Sequence, residues 1–321
     1  MEVTPLDLSL IDLEDKTFLV GNKENLSFVQ SSIQEIGLLN PPILRRSGEI
    51  YQIISGWKRI LSCRELGFPK VLCSIYDSSE LTNSDCLKII FSDNKDNFSD
   101  LELGELIQLF KDLVPLEDKE IIGNILPLLE VPPNRKNLDK YLGLASLDKL
   151  IKNAYYGDKI TIEQCLMLSE LTSNNQIPML NFLLLKYNLN NNESRQVIQI
   201  IEEIILRDTK TVLQVISEAE NGVENESIGK NELRQELRKM RYPDLSTVEA
   251  KYKKAVQDLK LPKNVNLHIN QFFEGNDLEF RIKIKSREEL NKILSSLGRS
   301  LDSGEIEKLL DIIRNGEENQ Y

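Results

Sequence analysis

The segment from Tyr51 to Asp77, YQIISGWKRILSCRELGFPKVLCSIYD, restricts the fold of this chain more than any other. Its first residues alternate along the chain and stop at a serine and a glycine, as a mostly buried strand does. From Trp57 apolar residues recur at helical spacing until Gly67, which is placed to cap a helix C-terminus. The run KVLCSIYD is typical of a second strand. The segment therefore predicts a tightly connected α/β unit.

Lys58 and Arg59 fall in the first turn of that predicted helix, where the helix macrodipole disfavours positive side chains. One explanation is a bound anion, because the free backbone N–H groups and the two cations would share it. The other explanation is a solvated basic pair beside a core tryptophan. The residues alone leave both explanations open.

Composition excludes several classes of protein. The acidic start, MEVTPLDLSLIDLEDKTF, does not match a signal peptide, and no apolar run reaches membrane-spanning length. The sequence thus predicts a cytoplasmic protein with no membrane contact. Cysteines lack paired ligand spacing, and the single histidine, His268, lies in the alternating segment NVNLHIN. We therefore expect no metal site and no catalytic residue.

Charge is unevenly distributed along the chain. The net charge is −11, but residues 131–160 and 230–263 are locally basic. Such faces on an acidic body suit docking on DNA at one place. They are equally common on ordinary helical surfaces.

The chain of 321 residues is long enough for several domains. The predicted fold class is α+β and multidomain, with a strand near TFLV at residues 17–20 in the first domain. Its predicted parts are a small α/β domain at 1–79, a helical domain at 80–217, a linker with basic helices at 218–262, and a C-terminal ββαα domain at 263–321.

Two loops carry polar groups on a fixed backbone. GLLNPPILRR runs through two prolines into a strand, which leaves Asn40 and Arg45 on a rigid edge. SDNKDNFSDLELGE places Asn94 shortly before a helix that begins near Ser99 or Asp100.

The order of GLLNPPILRR, YQIISGWKRILSCRELGF and SDNKDNFSDLELGELIQLF resembles the ParB family of chromosome and plasmid partition proteins. The resemblance covers roughly the first 210 residues. In that family three such boxes form a cytidine nucleotide pocket, so CTP with Mg²⁺ is the expected ligand. The residues that the resemblance assigns to nucleotide binding are Asn40, Pro41, Arg45, Gly56, Trp57, Lys58, Arg59 and Asn94.

The boxes also depart from the family pattern. Trp57 replaces an acid, and Lys58 replaces an arginine and cannot form a planar fork on phosphate. Asp96 and Asn97 stand where the family has Gln-Arg. We therefore expect weakened triphosphate binding and at most a weak CTPase activity. Sulfiredoxin shares the small fold, but Trp57 holds the place of its reactive cysteine, so sulfinic acid repair is not expected.

The resemblance extends through NLDKYLGLASLDKLIKNAYYGDKITIEQCLMLSEL to a helix-turn-helix region that reads DNA. Within NRKNLDKYL, one helix is expected in the major groove of double-stranded DNA, with phosphates contacted by the basic segment. The residues so implied are Arg135, Lys136, Asn137 and Lys140.

The first hypothesis is a ParB-like DNA-binding protein of partition or related DNA regulation, in the bacterial cytoplasm at the nucleoid, with a partition ATPase as a further partner. An alternative is a protein-interaction adaptor that has lost nucleotide and DNA binding. A third is a small-molecule kinase or nucleotidase, which lacks an acid at Trp57 to act as base. The apolar face of LEFRIKIK and its free edge predict a homodimer held by residues after about Asn264, and the alternative is a self-contained ββαα cap on a monomer.

Overall fold

A computed structural model describes residues 2–22, 25–222, 229–262, 264–269 and 277–318 of the chain. The described residues combine α-helices with two separate sheets, one mixed and one antiparallel, an α+β composition. The chain divides into two units, Met1–Arg195 and Gln196–Tyr321. Among the described residues, no helix has both the length and the apolar character needed to cross a membrane.

A five-stranded sheet forms the base of the first unit, in the order β1-β5-β3-β4-β2. The central strand β3 runs antiparallel to β4 and parallel to β5, so the helix between β4 and β5 carries the chain across β3. The strands are β1 (Glu2–Asp7), β2 (Ile11–Asp12), β3 (Ile43–Ser47), β4 (Ile50–Ser55) and β5 (Lys70–Asp77).

Two helices, α1 (Ser27–Ile36) and α2 (Trp57–Glu65), pack on this sheet. The strand, helix and strand predicted between Tyr51 and Asp77 are confirmed. The shared core of sheet and helices contains Leu44 and Ile53 from the strands and Ile60 from α2, each fully buried. Burial of such aliphatic side chains contributes about 1.5–3 kcal/mol each to folding.

The strand predicted near TFLV is wrong. Residues 17–20 form a turn and extended loop, and the first two strands lie upstream of them. The carboxylate of Asp15 accepts hydrogen bonds from the backbone N–H and the hydroxyl of Thr17, which holds the chain in a turn. Phe18 is buried there without belonging to a strand. Its apolar character reflects core packing and not sheet pairing.

The rest of the first unit is helical. The helices are α3 (Asn83–Asn94), α4 (Asp100–Leu113), α5 (Asp118–Glu120), α6 (Leu126–Leu128), α7 (Arg135–Ala145), α8 (Lys149–Tyr156), α9 (Ile162–Ser169), α10 (Ser173–Met179) and α11 (Asn191–Asp208), the last of which crosses into the second unit. Short 3₁₀ and π-helical segments lie at Lys95–Asn97, Ile121–Ile125 and Leu180–Lys186. Reciprocal capping boxes fix the starts of α3, α4 and α9.

Gly104 sets the distance between α4 and α7. A Cβ atom at this position would lie 2.5 Å from the carbonyl oxygen of Tyr141 and 3.4 Å from the amide nitrogen of Ala145. The two helices therefore meet backbone to backbone, which only glycine permits at such a distance.

The second unit contains the end of α11, further helices and one short hairpin. The helices are α12 (Val212–Asn221), α13 (Lys230–Arg241), α14 (Pro243–Asp258), α15 (Arg287–Asp302) and α16 (Glu305–Glu318), and the strands are β6 (Val265–His268) and β7 (Glu279–Ile282). The predicted break between two basic helices at Tyr242 and Pro243 is confirmed, with the proline at the first position of α14.

The predicted strand LEFRIKIK is shorter than expected, because β7 ends at Ile282. Its pairing with β6 is antiparallel, with Val265 opposite Ile282 and His268 opposite Glu279. Apart from Asp277, the turn predicted at FFEGND lies outside the described residues.

Candidate functional site

A cavity of about 550 Å³ lies at the start of α2, where β4 ends. Ser55, the last residue of β4, and Gly56 lie in the wall of the cavity, and the first turn of α2 follows directly. Six of the eight residues expected to bind nucleotide line this cavity: Asn40, Gly56, Trp57, Lys58, Arg59 and Asn94. Pro41 and Arg45 are not among the lining residues.

Gly56 is the N-cap of α2 and adopts the left-handed conformation, with φ 96° and ψ 26°. A Cβ atom here would lie 2.9 Å from Nε of Arg59 and 3.0 Å from Cβ of Pro42. Glycine has no side chain with which to cap the start of α2. The strand-to-helix turn therefore needs glycine, and its N-cap residue leaves the first backbone N–H groups of α2 without a side-chain cap.

Arg59 is held by three oxygens of the same chain. Its guanidinium donates to the carboxylate of Asp93, and it donates to the carbonyl oxygens of Asn40 at 3.0 Å and Pro41 at 3.5 Å. The Asp93 carboxylate also accepts from the hydroxyl of Ser55. This cation therefore already has an anionic partner within the cavity.

Lys58 differs from its neighbour. Its side chain is exposed, and it forms no ion pair with any residue that the structure describes. Lys58 is the second residue of α2, so its positive charge belongs to the same first turn as the backbone N–H groups that have no partner within the helix. Of the two predicted cations, Lys58 is the one whose charge is not offset by a carboxylate of the described chain.

Arg45 lies on β3 and faces a different set of partners. It donates to Oε1 of Gln52 at 2.7 and 3.1 Å and to Oδ1 of Asn83 at 3.2 Å. Its guanidinium carbon lies 5.1 Å from the centre of the Phe18 ring. These contacts tie the sheet to the start of α3.

Asn94 ends α3 and reaches back across the cavity wall. Its side-chain amide donates to the carbonyl oxygen of Ile90 at 2.8 Å and to the hydroxyl of Ser55 at 3.3 Å. Sequence reasoning selected Asn94 but missed Asp93. The signal was present in the run SDNKDN, since an acid directly precedes the asparagine there.

Part of the cavity lining is apolar and aromatic. Leu19, Phe28 and Val29 contribute to it, of which Phe28 is 84% exposed. Phe28 is the second residue of α1. Sequence reasoning assigned it no role, because a single aromatic at a helix start has no distinctive pattern.

Oxygen ligands for a cation are few in this region. The cavity places the Asp93 carboxylate beside the Asn94 carboxamide, and both residue types supply oxygens of the kind that Mg²⁺ prefers. Within the described part of the chain, no cluster of three or more His, Cys, Asp or Glu side chains is arranged to hold a metal ion.

The residues expected to contact DNA lie on α7, where Asn134 caps the helix by accepting from the backbone N–H of Asn137 at 2.8 Å. Arg135 is paired with Asp118 at 2.8 Å and with Asp139 at 2.9 Å. Lys136 is exposed and forms no ion pair with a described residue. Carboxylates thus already surround part of the predicted phosphate-binding segment.

Lys140 is held by α4. Its Nζ lies 2.7 Å from Oδ2 of Asp100, whose other oxygen accepts from the hydroxyl of Tyr141 at 3.1 Å. Burial and the neighbouring Asp100 carboxylate raise the pKa of Tyr141 to about 12. The start of α4, which contributes Glu102 to the cavity wall, therefore also fixes the middle of α7.

Comparison with known proteins gives one sequence match of note. No family model matches the chain. Over 92 residues it is 32% identical to the probable plasmid-partitioning protein ParB of Thermus thermophilus, a match that covers 28% of this chain and 31% of that protein. The matched region thus spans less than a third of the relative's length. It supports a ParB-like N-terminal domain.

Solved structures align at low scores. The C-terminally truncated ParB of Caulobacter crescentus complexed to the centromeric parS site is 15% identical, with 61% of this chain and 98% of that chain covered and a TM-score of 0.34. The same protein complexed with CTP-gamma-S is 16% identical, with 54% and 94% covered and a TM-score of 0.26. Sulfiredoxin of Arabidopsis thaliana is 23% identical, with 24% and 88% covered and a TM-score of 0.22. Scores in this range do not establish a common fold.

Proposed function

We propose that this chain, which carries a ParB-like N-terminal domain, is a DNA-binding protein of the partition type that responds to a nucleotide. The observation that carries the proposal is the cavity at the start of α2. It combines an uncapped helix N-terminus with Lys58, whose charge no described carboxylate offsets, in a chain that matches a partition protein over 92 residues. A helix start with an added cation is suited to bind phosphate.

The proposed nucleotide is CTP, with its phosphates at the first turn of α2 near Lys58 and Arg59. When Mg²⁺ accompanies it, Asp93 and Asn94 are the residues that would hold the ion, which neutralises phosphate charge. Arg59 can then exchange its internal carboxylate partner for phosphate. Because Trp57 brings no carboxylate to this turn, hydrolysis is expected to be slow or absent.

For DNA, the proposed reading unit is the helical segment α5–α6 followed by α7, used as a helix-turn-helix. The start of α7 presents Lys136 to solvent, and Asn137 lies in the same first turn. Recognition helices of this kind contact base edges with their N-terminal residues. Arg135 and Lys140 would contribute only after phosphate replaces Asp118, Asp139 or Asp100 as partner.

A homodimer is the proposed assembly, and α15 offers the surface for it. Four leucines follow one another at heptad-like spacing along this helix, and all four are half-buried or exposed: Leu290, Leu294, Leu297 and Leu301. The buried face of the helix is instead marked by Ile293, which is 1% exposed. A stripe of this spacing packs well against a second helix. A partition ATPase and the bacterial nucleoid remain the proposed partner and location.

The adaptor alternative is not favoured. It explains neither why the charge of Lys58 has no carboxylate partner among the described residues nor the sequence match to a partition protein. A titration of the full chain with random duplex DNA at several salt concentrations separates the two hypotheses. DNA binding predicts a logarithm of affinity that falls linearly with the logarithm of salt, by about 0.9 for each phosphate contact. Absence of binding at low salt would leave the adaptor as the better account.

A further inference from the structure

We propose that Phe28 stacks on the nucleobase of the bound nucleotide, an inference that rests on the proposed nucleotide function and deepens it. Phe28 lies at the start of α1 and lines the same cavity as Lys58 and Arg59. The lining of this cavity therefore combines two cations at a helix start with an exposed aromatic ring. A ligand that is anionic at one end and planar and aromatic at the other satisfies both.

The high exposure of the Phe28 side chain is the observation that points to a bound ligand. A phenylalanine that is 84% exposed leaves nearly its whole ring in water, although the core of this unit buries Phe18 and Phe110 almost completely. Phe28 makes no ring–ring contact with any aromatic residue in the part of the chain that the structure describes. Its ring face is thus available to a flat ligand.

The residues around Phe28 point to the same ligand class. Val29 and Leu19 line the cavity beside it and provide apolar contacts for the edges of a base or a ribose. Asn40, Asn94 and Asn97 contribute neutral amide groups to the lining, which suit hydrogen bonds to polar atoms of a base or sugar. A purely inorganic anion would use only the cations and N–H groups of α2, so the apolar part of the lining distinguishes a nucleotide from free polyphosphate.

Stacking on an aromatic side chain is tolerant of base identity, because every base has a π face. Phe28 therefore contributes affinity for nucleotides as a class. Discrimination between bases falls to the amide groups of the lining. This division predicts that removal of the ring weakens all nucleoside triphosphates together and leaves tripolyphosphate unaffected.

The test is calorimetric titration of the full-length chain with CTP, ATP and inorganic tripolyphosphate, each with Mg²⁺. For Phe28→Ala we expect a loss of roughly tenfold to a hundredfold in affinity for the nucleotides and none for tripolyphosphate. Phe28→Trp should retain nucleotide affinity, because the larger ring preserves the stacking face. Lys58→Ala should weaken all three ligands, because its contact is to phosphate.

Ile36→Ala is the matched control, because Ile36 is an apolar residue of α1 that is 57% exposed but does not line the cavity. It should leave every affinity unchanged. Equal nucleotide affinity of Phe28→Ala and the wild type would overturn the stacking role while leaving the proposed function intact. Failure of the wild type to bind either nucleotide would overturn both. A parallel loss for tripolyphosphate in Phe28→Ala would also contradict stacking, since it would indicate a general change in the cavity.

Discussion

Arg59 and Asp93 form an ion pair inside the cavity at the start of α2, so the guanidinium expected to bind phosphate is already bound to a carboxylate of its own chain. Their side chains are 18% and 21% exposed. An incoming anion must therefore compete with Asp93 for Arg59. In this respect the chain differs from the simple picture of two free cations that the sequence suggested.

Removal of this competing carboxylate should strengthen anion binding when no divalent cation is present. Asp93→Asn is expected to improve the affinity for tripolyphosphate in EDTA by about 1–2 kcal/mol, since Arg59 then needs no exchange of charged partners. Calorimetry measures the change. Asp96→Asn, which removes an exposed carboxylate outside the cavity lining, is the control. Equal gains in both variants would assign the effect to overall charge.

The turn before α2 should not tolerate a side chain. Gly56→Ala is expected to lower the free energy of unfolding by about 1–3 kcal/mol, because the added Cβ meets Arg59 and Pro42 in a left-handed backbone conformation. Urea denaturation measures the loss. Gly123→Ala is the control, because a Cβ there has no neighbour within 4 Å. Unchanged stability of Gly56→Ala would show that the turn can relax.

Lys136 should contribute a phosphate contact if α7 binds DNA. Lys136→Ala is expected to reduce the slope of log affinity against log salt by about 0.9 on random and specific duplexes alike. Fluorescence anisotropy across a salt series gives the slope. Lys88→Ala removes a side chain of α3 that is 48% exposed and should leave the slope unchanged. A slope that does not respond to Lys136→Ala would exclude this residue from the interface.

The leucine stripe of α15 should hold the proposed dimer. Leu294 and Leu301 are 54% and 61% exposed, so their replacement by lysine places charge on a surface that is open in the single chain. The double variant Leu294→Lys, Leu301→Lys is expected to remain folded and become monomeric by light scattering. Lys292→Ala and Arg299→Ala, exposed on the same helix, should stay dimeric. A monomeric wild type would refute the proposed assembly.

The cysteines should be inert in the native protein. All four are buried, and burial raises the pKa of the Cys73 and Cys165 thiols to about 12. Because the thiolate is the reacting species, Ellman's reagent at pH 8 should label none of them until guanidinium unfolds the chain. Ser92→Cys, at an exposed position of α3, should react at once. Rapid labelling of the native wild type would indicate local opening of a core.

The sequence was most informative where structure depends on neighbours along the chain. The segment from Tyr51 to Asp77 was predicted correctly, because its alternation, helical spacing and glycines are local signals. The helix α10 is not marked by the sequence, since SNNQIPM contains Pro178 and lacks an apolar period. The prediction of a strand near TFLV was wrong because apolar residues of this kind occur in a buried turn as well as in a strand.

The candidate site shows more clearly what the sequence could not predict. The resemblance to the ParB family assigned Asn40, Lys58, Arg59 and Asn94 to one pocket through three separate boxes, and all four line the cavity. It did not reveal that Arg59 would pair with Asp93, 34 residues away, because the pairing depends on how α3 packs against β4, the strand that leads into α2. Nor did it indicate the exposure of Phe28, which is set by the absence of neighbours and not by residue type.

The placement of the basic helix α7 depends on Gly104, an uncharged residue of α4 that lies outside the proposed binding sites. Any side chain there would push α7 away from α4, because its Cβ would lie 2.5 Å from the carbonyl oxygen of Tyr141. A backbone oxygen cannot rotate aside as a side chain can. In the proposed dimer on DNA, such a displacement would occur once in each half and alter the distance between the two copies of α7, the proposed recognition helix. Half-site spacing follows that distance. Related chains could therefore change the geometry of the operator they accept through this one position while every basic side chain stays the same.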